Sequence, residues 1–197
     1  MKHIKLIVSS VLAAAAVTAA SVPQVAQAQA ATARASVNWG NVSIPGGLCE
    51  VKGEIKLHNG YATVSHGSGF GVPLAVNTAV VTHGYLGHGL PVTALEIWCN
   101  RLGSTAAGQL AEGIVVFSSP RNQPHLLGTL TAQYRPSSAG HIPYISVKSI
   151  NTAGHITVTE FFYNPSNPDC CPSGQAVTVW QWTGHKFVPG RTRITAR

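Results

Sequence analysis

The 197-residue sequence predicts an all-β protein: a mainly antiparallel single domain of short strands, a sandwich or rolled sheet, with little helix. Three observations carry this expectation. Residues 49–58 alternate apolar and charged side chains with the two-residue period of a half-buried strand, and Asn59-Gly60 follows at once. A series of later apolar and β-branched runs is separated by Gly, Pro, Ser or Asn, as short strands joined by turns require. Hydrophobic residues make up 45% of the chain, enough for a core, while charged residues are only 10%, against roughly 25% in an average soluble protein. Disorder needs the opposite balance.

The N-terminus precedes the predicted domain and reads as a targeting segment. Met1-Lys2-His3-Ile4-Lys5 is a short basic start, and Leu6 to Ala20 is an uncharged apolar run. Ser21-Val22-Pro23 and the small-x-small patterns Ala26-Gln27-Ala28 and Ala28-Gln29-Ala30 follow. These parts define a secretory signal peptide over residues 1–30, cleaved after Ala28 or Ala30. The apolar run is shorter than the roughly 20 residues of a spanning helix. No later stretch is longer, so the mature chain is expected to have no membrane span. The first cysteine is Cys49, so no lipid-attachment site is expected. Residues 31–37 read as a disordered lead-in, 38–190 as the β domain and 191–197 as a basic tail.

Along the domain, Cys49, Val51, Gly53, Ile55 and Leu57 share one face of the first strand, and Glu50, Lys52, Glu54, Lys56 and His58 the other. Asn59-Gly60 suits a type I′ hairpin because both residues tolerate positive φ. A two-residue loop there sets Leu57 opposite Ala62 and Ile55 opposite Val64, keeping the inner face apolar. Further strands are expected over 72–82, 93–99, 113–118, 125–133, 142–150, 155–163, 176–183 and 185–188, with Asn151-Thr152-Ala153-Gly154 as a turn. Residues 104–111 are the one helix candidate, weakened by Gly108.

The four cysteines are even in number in a chain expected to be exported, so disulfides are expected. Cys49 and Cys99 both fall on apolar strand faces, and a bridge between them would close about 50 residues and contribute about 4 kcal/mol. Cys170 and Cys171 are adjacent. Their α-carbons lie about 3.8 Å apart, where ordinary bridges prefer about 4.4–6.8 Å. The favoured pairing is Cys49 with Cys99 and Cys170 with Cys171; cross-pairing is the alternative.

Asn164-Pro165-Ser166-Asn167-Pro168-Asp169-Cys170-Cys171-Pro172-Ser173-Gly174, followed by Val177-Thr178-Val179-Trp180-Gln181-Trp182-Thr183-Gly184, resembles the end of the LppP/LprE-like envelope proteins of actinobacteria. Gly87-His88-Gly89-Leu90-Pro91, the strand to Cys99, Leu127-Gly128-Thr129-Leu130 and Val37-Asn38-Trp39-Gly40-Asn41 resemble upstream segments of that family. The likeness covers most of residues 37–189 and implies an exported cell-envelope or secreted protein. It carries no activity with it. Where relatives often have acidic residues in a Gly-rich turn, this chain has Gly84, His88 and Thr93, which does not suit a calcium-type oxygen cage.

Cleavage of residues 1–30 removes Lys2 and Lys5 and leaves eleven basic against six acidic side chains, net +5. Apart from Arg191, Arg193 and Arg197 the basic residues are scattered, which argues against nucleic-acid binding. A mild attraction to an anionic wall polymer is compatible with this charge. No cofactor is called for. His83 and His88 share one Gly-rich loop, with His58 and His66 near in sequence, and form the weak metal candidates. The hydrolase alternative would draw on Ser68 with Glu160 or Asp169, without a G-x-S-x-G pattern. The expected role is a non-catalytic binding or structural module of the envelope, partnered by a wall polymer or an envelope protein. Its candidate surface is the Cys-Cys loop (Pro172, Ser173) with the strand bearing Trp180 and Trp182.

Overall fold

Among the described residues, extended runs assemble into two antiparallel sheets and one small two-stranded ribbon. The computed structural model describes residues 36–104, 108–136, 141–168 and 171–196. The expected signal peptide and most of the expected lead-in lie outside the described residues.

The ribbon joins β1 (Ser43–Pro45) to β2 (Glu54–Lys56). The larger sheet has the order β3 (Tyr61–Val64), β4 (Leu74–Leu86), β5 (Leu90–Arg101), β6 (Gln109–Ser118), β7 (His125–Leu130). The second sheet runs β11 (Phe187–Pro189), β10 (Gly174–Trp182), β9 (His155–Phe162), β8 (Tyr144–Ile150), and β12 (Arg193–Ala196) also pairs with β10.

β5 is covered on both faces, and this organises the domain. Leu95, Ile97 and Cys99 point into one cluster with Ile44, Cys49, Ile55 and Leu57 from the N-terminal segment. Val92 and Ala94 point into another with Ile145, Ile156, Val158 and Trp180 from the second sheet. The central sheet is thus sandwiched between the N-terminal segment and the second sheet. Each large apolar side chain buried this way contributes about 1.5–3 kcal/mol relative to exposure. Cys49 and Cys99 form a disulfide inside the first cluster, with α-carbons 5.6 Å apart.

The Asn59-Gly60 turn forms: φ is 51° and 81°, and His58 and Tyr61 exchange hydrogen bonds of 2.8 and 3.1 Å. The expected register beyond it does not. Ile55 faces Ile44, the Leu57 N–H donates to the Val42 carbonyl, and Tyr61–Val64 pairs with β4, setting Ala62 opposite Val76 and Val64 opposite Leu74. The two arms part after one rung: the first pairs with β1 in the ribbon and the second with the longer β4 in the central sheet. The first strand is also shorter than expected, since Glu50 (φ 53°) and Gly53 (φ 85°) interrupt extension before Glu54.

The helix expected over 104–111 is not formed at its C-terminal end, because Gln109–Ala111 open β6; residues 105–107 lie outside the described residues. The segment expected as a basic tail contains β12, paired to the Gln175–Val177 stretch of β10. No helix among the described residues is long and apolar enough to cross a membrane.

Candidate functional site

Burial divides the surface expected from the sequence. Trp180 alternates inward on β10 and is buried in the second cluster, so it is a core residue and offers no stacking face. Trp182 is half-buried against Phe187, ring centroids 4.8 Å apart. The preceding loop is tied by Asn167, whose Oδ1 accepts from the N–H groups of Asn164 (2.8 Å) and Ser173 (2.9 Å) and from the Ser173 hydroxyl (3.1 Å). Ser173 is exposed and Pro172 half-buried. Gly174 leaves the loop against the Phe162 ring, where a Cβ would collide. Cys171 is disulfide-bonded; Cys170 and Asp169 lie outside the described residues.

The alternatives fare as follows. The Ser68 hydroxyl donates to the Val72 carbonyl at 2.7 Å. Glu160 is fully buried, accepting from the N–H groups of Gln133 and Tyr134 at 2.8 and 2.7 Å and from the Thr178 hydroxyl. His88 is exposed in the Gly87–Gly89 turn with φ 57°. His83 lies 2.9 Å, Nδ1 to Oγ1, from Thr93. No group of three His, Cys, Asp or Glu side chains suited to a metal occurs among the described residues.

His83 belongs instead to an aromatic cleft of about 320 Å³ on the face of the central sheet that carries the N-terminal segment. One wall is the end of β4, where His83 pairs across the ladder with Thr93 and Tyr85 with Pro91. The other wall is Trp39, and Ser119 and Asn122 form the rim. Trp39 is placed by a local device. The Asn38 side chain accepts from the Gly40 N–H at 3.1 Å, starting a short 3-10 turn. The Gly40 carbonyl then accepts from the Gly60 N–H at 2.7 Å, and Asn41 Oδ1 from the Asn59 N–H at 2.8 Å. A Cβ on Gly40 would sit 3.0 Å from the Gly60 nitrogen, so glycine is needed for this approach. The Asn-Gly turn therefore anchors the Trp39 turn, and Trp39 leans on Phe117 (centroids 5.8 Å) with His83 at 6.4 Å. Tyr85 stays 58% exposed. At the rim, Arg121 and Asn122 both hold positive φ, 54° and 62°, a conformation unfavourable for side-chain-bearing residues that needs support from its surroundings. Tyr85 stands two positions from His83 on the same strand face, and that alternation is the sequence signal for it.

Two further buried acids, Glu96 and Glu112, join the sheets. Glu96 Oε1 accepts from the Val147 N–H and the Ser146 hydroxyl, both at 2.9 Å. Glu112 Oε1 accepts from the Ile145 N–H at 2.8 Å, and its Oε2 from the Gln109 amide at 2.5 Å. Burial pushes the Glu112 carboxyl up to about 8, with a smaller push from Glu96, against the pull of these donors. The Trp98 indole N–H lies buried near this carboxylate, outside close hydrogen-bond geometry, and adds the weakest pull in the same direction as these donors. Glu112 also floors a second concavity of about 400 Å³ edged by Glu50 and Arg135. Its oxygens are already committed to β8 and Gln109, so it reads as part of the scaffold.

No protein-family model matches the chain, and neither a curated protein nor a solved structure does.

Proposed function

We propose that this chain is an exported cell-envelope or secreted protein working as a non-catalytic binding module, with the Trp39–His83–Tyr85 cleft as its contact surface. The observation that carries this reading is the exposure of Tyr85 beside Trp39 above a hydrogen-bonding rim: a concave, partly apolar surface with a few fixed polar groups is the usual form of a ligand site. Export is supported by the N-terminal basic start, apolar run and small-x-small end, and by the Cys49–Cys99 disulfide, which suits an oxidising compartment. The Cys-Cys-Pro-Ser-Gly loop adds its resemblance to LppP/LprE-like envelope proteins.

The test is co-sedimentation of the oxidised mature protein with the insoluble envelope fraction of its own cells. The expected result is retention by the wild type and its loss in Tyr85→Ala. A wild-type protein left in the supernatant, or equal retention of both proteins, contradicts the reading.

A further inference from the structure

We propose that the Trp39–His83–Tyr85 cleft takes a sugar ring of a neutral glycan; this rests on the reading of that cleft as the contact surface. A pyranose has two kinds of surface. Its C–H faces are apolar and stack on aromatic rings, and its edge carries hydroxyl groups that both donate and accept hydrogen bonds. The cleft offers both counterparts. Tyr85 and Trp39 supply flat, amphipathic aromatic surface at low cost in conformational entropy. Ser36, Ser119 and Asn122 supply neutral donors and acceptors along the rim, and Thr93 lies at the base.

Charge decides among ligand classes. Among the described residues, the cleft lining itself contains no Lys, Arg, Asp or Glu, and Arg121 stands at the rim beside Asn122. A phosphate or carboxylate placed there would be partly desolvated without a counter-charge, which is unfavourable. A cationic ligand would lack an acidic partner in the same way. The lining itself therefore favours a neutral, polar-edged ring, and the polyanion arm of the experiment tests whether Arg121 at the rim draws an anion instead. Its volume of about 320 Å³ suits one end or one segment of a chain rather than a buried polymer. Gly84 lies on the lining through its backbone, and the face it turns away from the cleft meets β8, where a Cβ would come 2.6 Å from Ile150 Cβ.

The experiment titrates the full oxidised mature protein with soluble cello-, malto- and chito-tetrasaccharides, followed by backbone amide shifts and tryptophan fluorescence at low and high salt. Dextran sulfate serves as the polyanion probe and adenosine as the flat aromatic one. The expected result is binding of at least one tetrasaccharide with shifts at Trp39, Tyr85 and Asn122, unchanged by salt because no ion pair is involved. Tyr85→Ala, at an exposed position that keeps the fold, should weaken it about tenfold or more, and Tyr85→Phe should retain most of it. Failure of all three sugars at about 10 mM overturns the inference. Adenosine or dextran sulfate binding at the cleft in their place also overturns it, while leaving the cleft as the contact surface. Shifts confined to other residues overturn both.

Discussion

Glu112 Oε1 lies 2.8 Å from the backbone nitrogen of Ile145, so a carboxyl on the central sheet closes the outer edge of β8 in the second sheet. Glu96 does the same for Val147. An edge strand normally presents a row of unpaired N–H groups that invites another chain. Here two of them are spent on buried acids, which also fix how the sheets are stacked. Three of the six acidic residues, Glu96, Glu112 and Glu160, are used as buried acceptors.

The arrangement predicts an inverted acid dependence. The Glu112 pKa is about 8 in the folded chain against an ordinary 4.5. A raised carboxyl pKa favours the protonated folded state, so its contribution is full below about pH 4.5 and is lost as pH rises toward 8. Glu112→Gln keeps an acceptor for Ile145 and cannot ionise. Denaturant unfolding at pH 5 and pH 8.5 should show the wild type losing on the order of a few kcal/mol relative to the variant. Parallel pH profiles would count against it.

The disulfide makes a second, independent demand. Closing a loop with a sequence separation of 50 contributes about 4 kcal/mol on the chain-entropy view. Cys49→Ala with Cys99→Ala should lower stability by about that amount or more, since both sulfurs are also buried in the first cluster. Equal unfolding midpoints for this variant and the wild type would refute the structural role.

Substitution at the two tryptophans of β10 should separate core from surface. Trp180→Ala should cost about 3–5 kcal/mol, as for other buried aromatics. Trp180→Phe should cost less, because the indole N–H has no hydrogen-bond partner among the described residues. Trp182→Ala, at a half-buried position, should cost less than Trp180→Ala. Calorimetry of the three variants checks the order.

Gly84→Ala probes the seam between the sheets. Its Cβ would meet Ile150 Cβ at 2.6 Å, and the backbone of a β-strand gives little room for retreat. The expected loss is about 1–3 kcal/mol. Adding Ile150→Val should not repair it fully, because the nearest atom is Cβ itself.

These outcomes also show what the sequence made legible. Asn59-Gly60 was readable because its conformation is set within four residues. The partner of each hairpin arm was not, since the choice between β1, β4 and the opposite arm is made by tertiary packing. Strands as short as β1 and β12 leave too few residues for a period to register. Alternation on β10 placed Trp180 and Trp182 on one face, but it cannot say how deeply that face is covered at each position. Nothing in the sequence pattern marks Glu96 and Glu112 as buried acceptors, because it does not reveal that a second sheet lies over that side. Tyr85 passed unnoticed for a related reason: its significance depends on Trp39, some forty-six positions away in the chain and brought near by the Asn59-Gly60 turn.

The most direct test of the account maps contact on the folded, oxidised mature protein by amide shifts as solubilised envelope material is added. The account predicts changes gathered at Val37–Trp39, His83–Tyr85, Val92–Thr93 and Ser119–Asn122, with the Pro172–Gly174 loop and Trp182 undisturbed. Changes centred on that loop and Trp182, with the aromatic cleft silent, would contradict it.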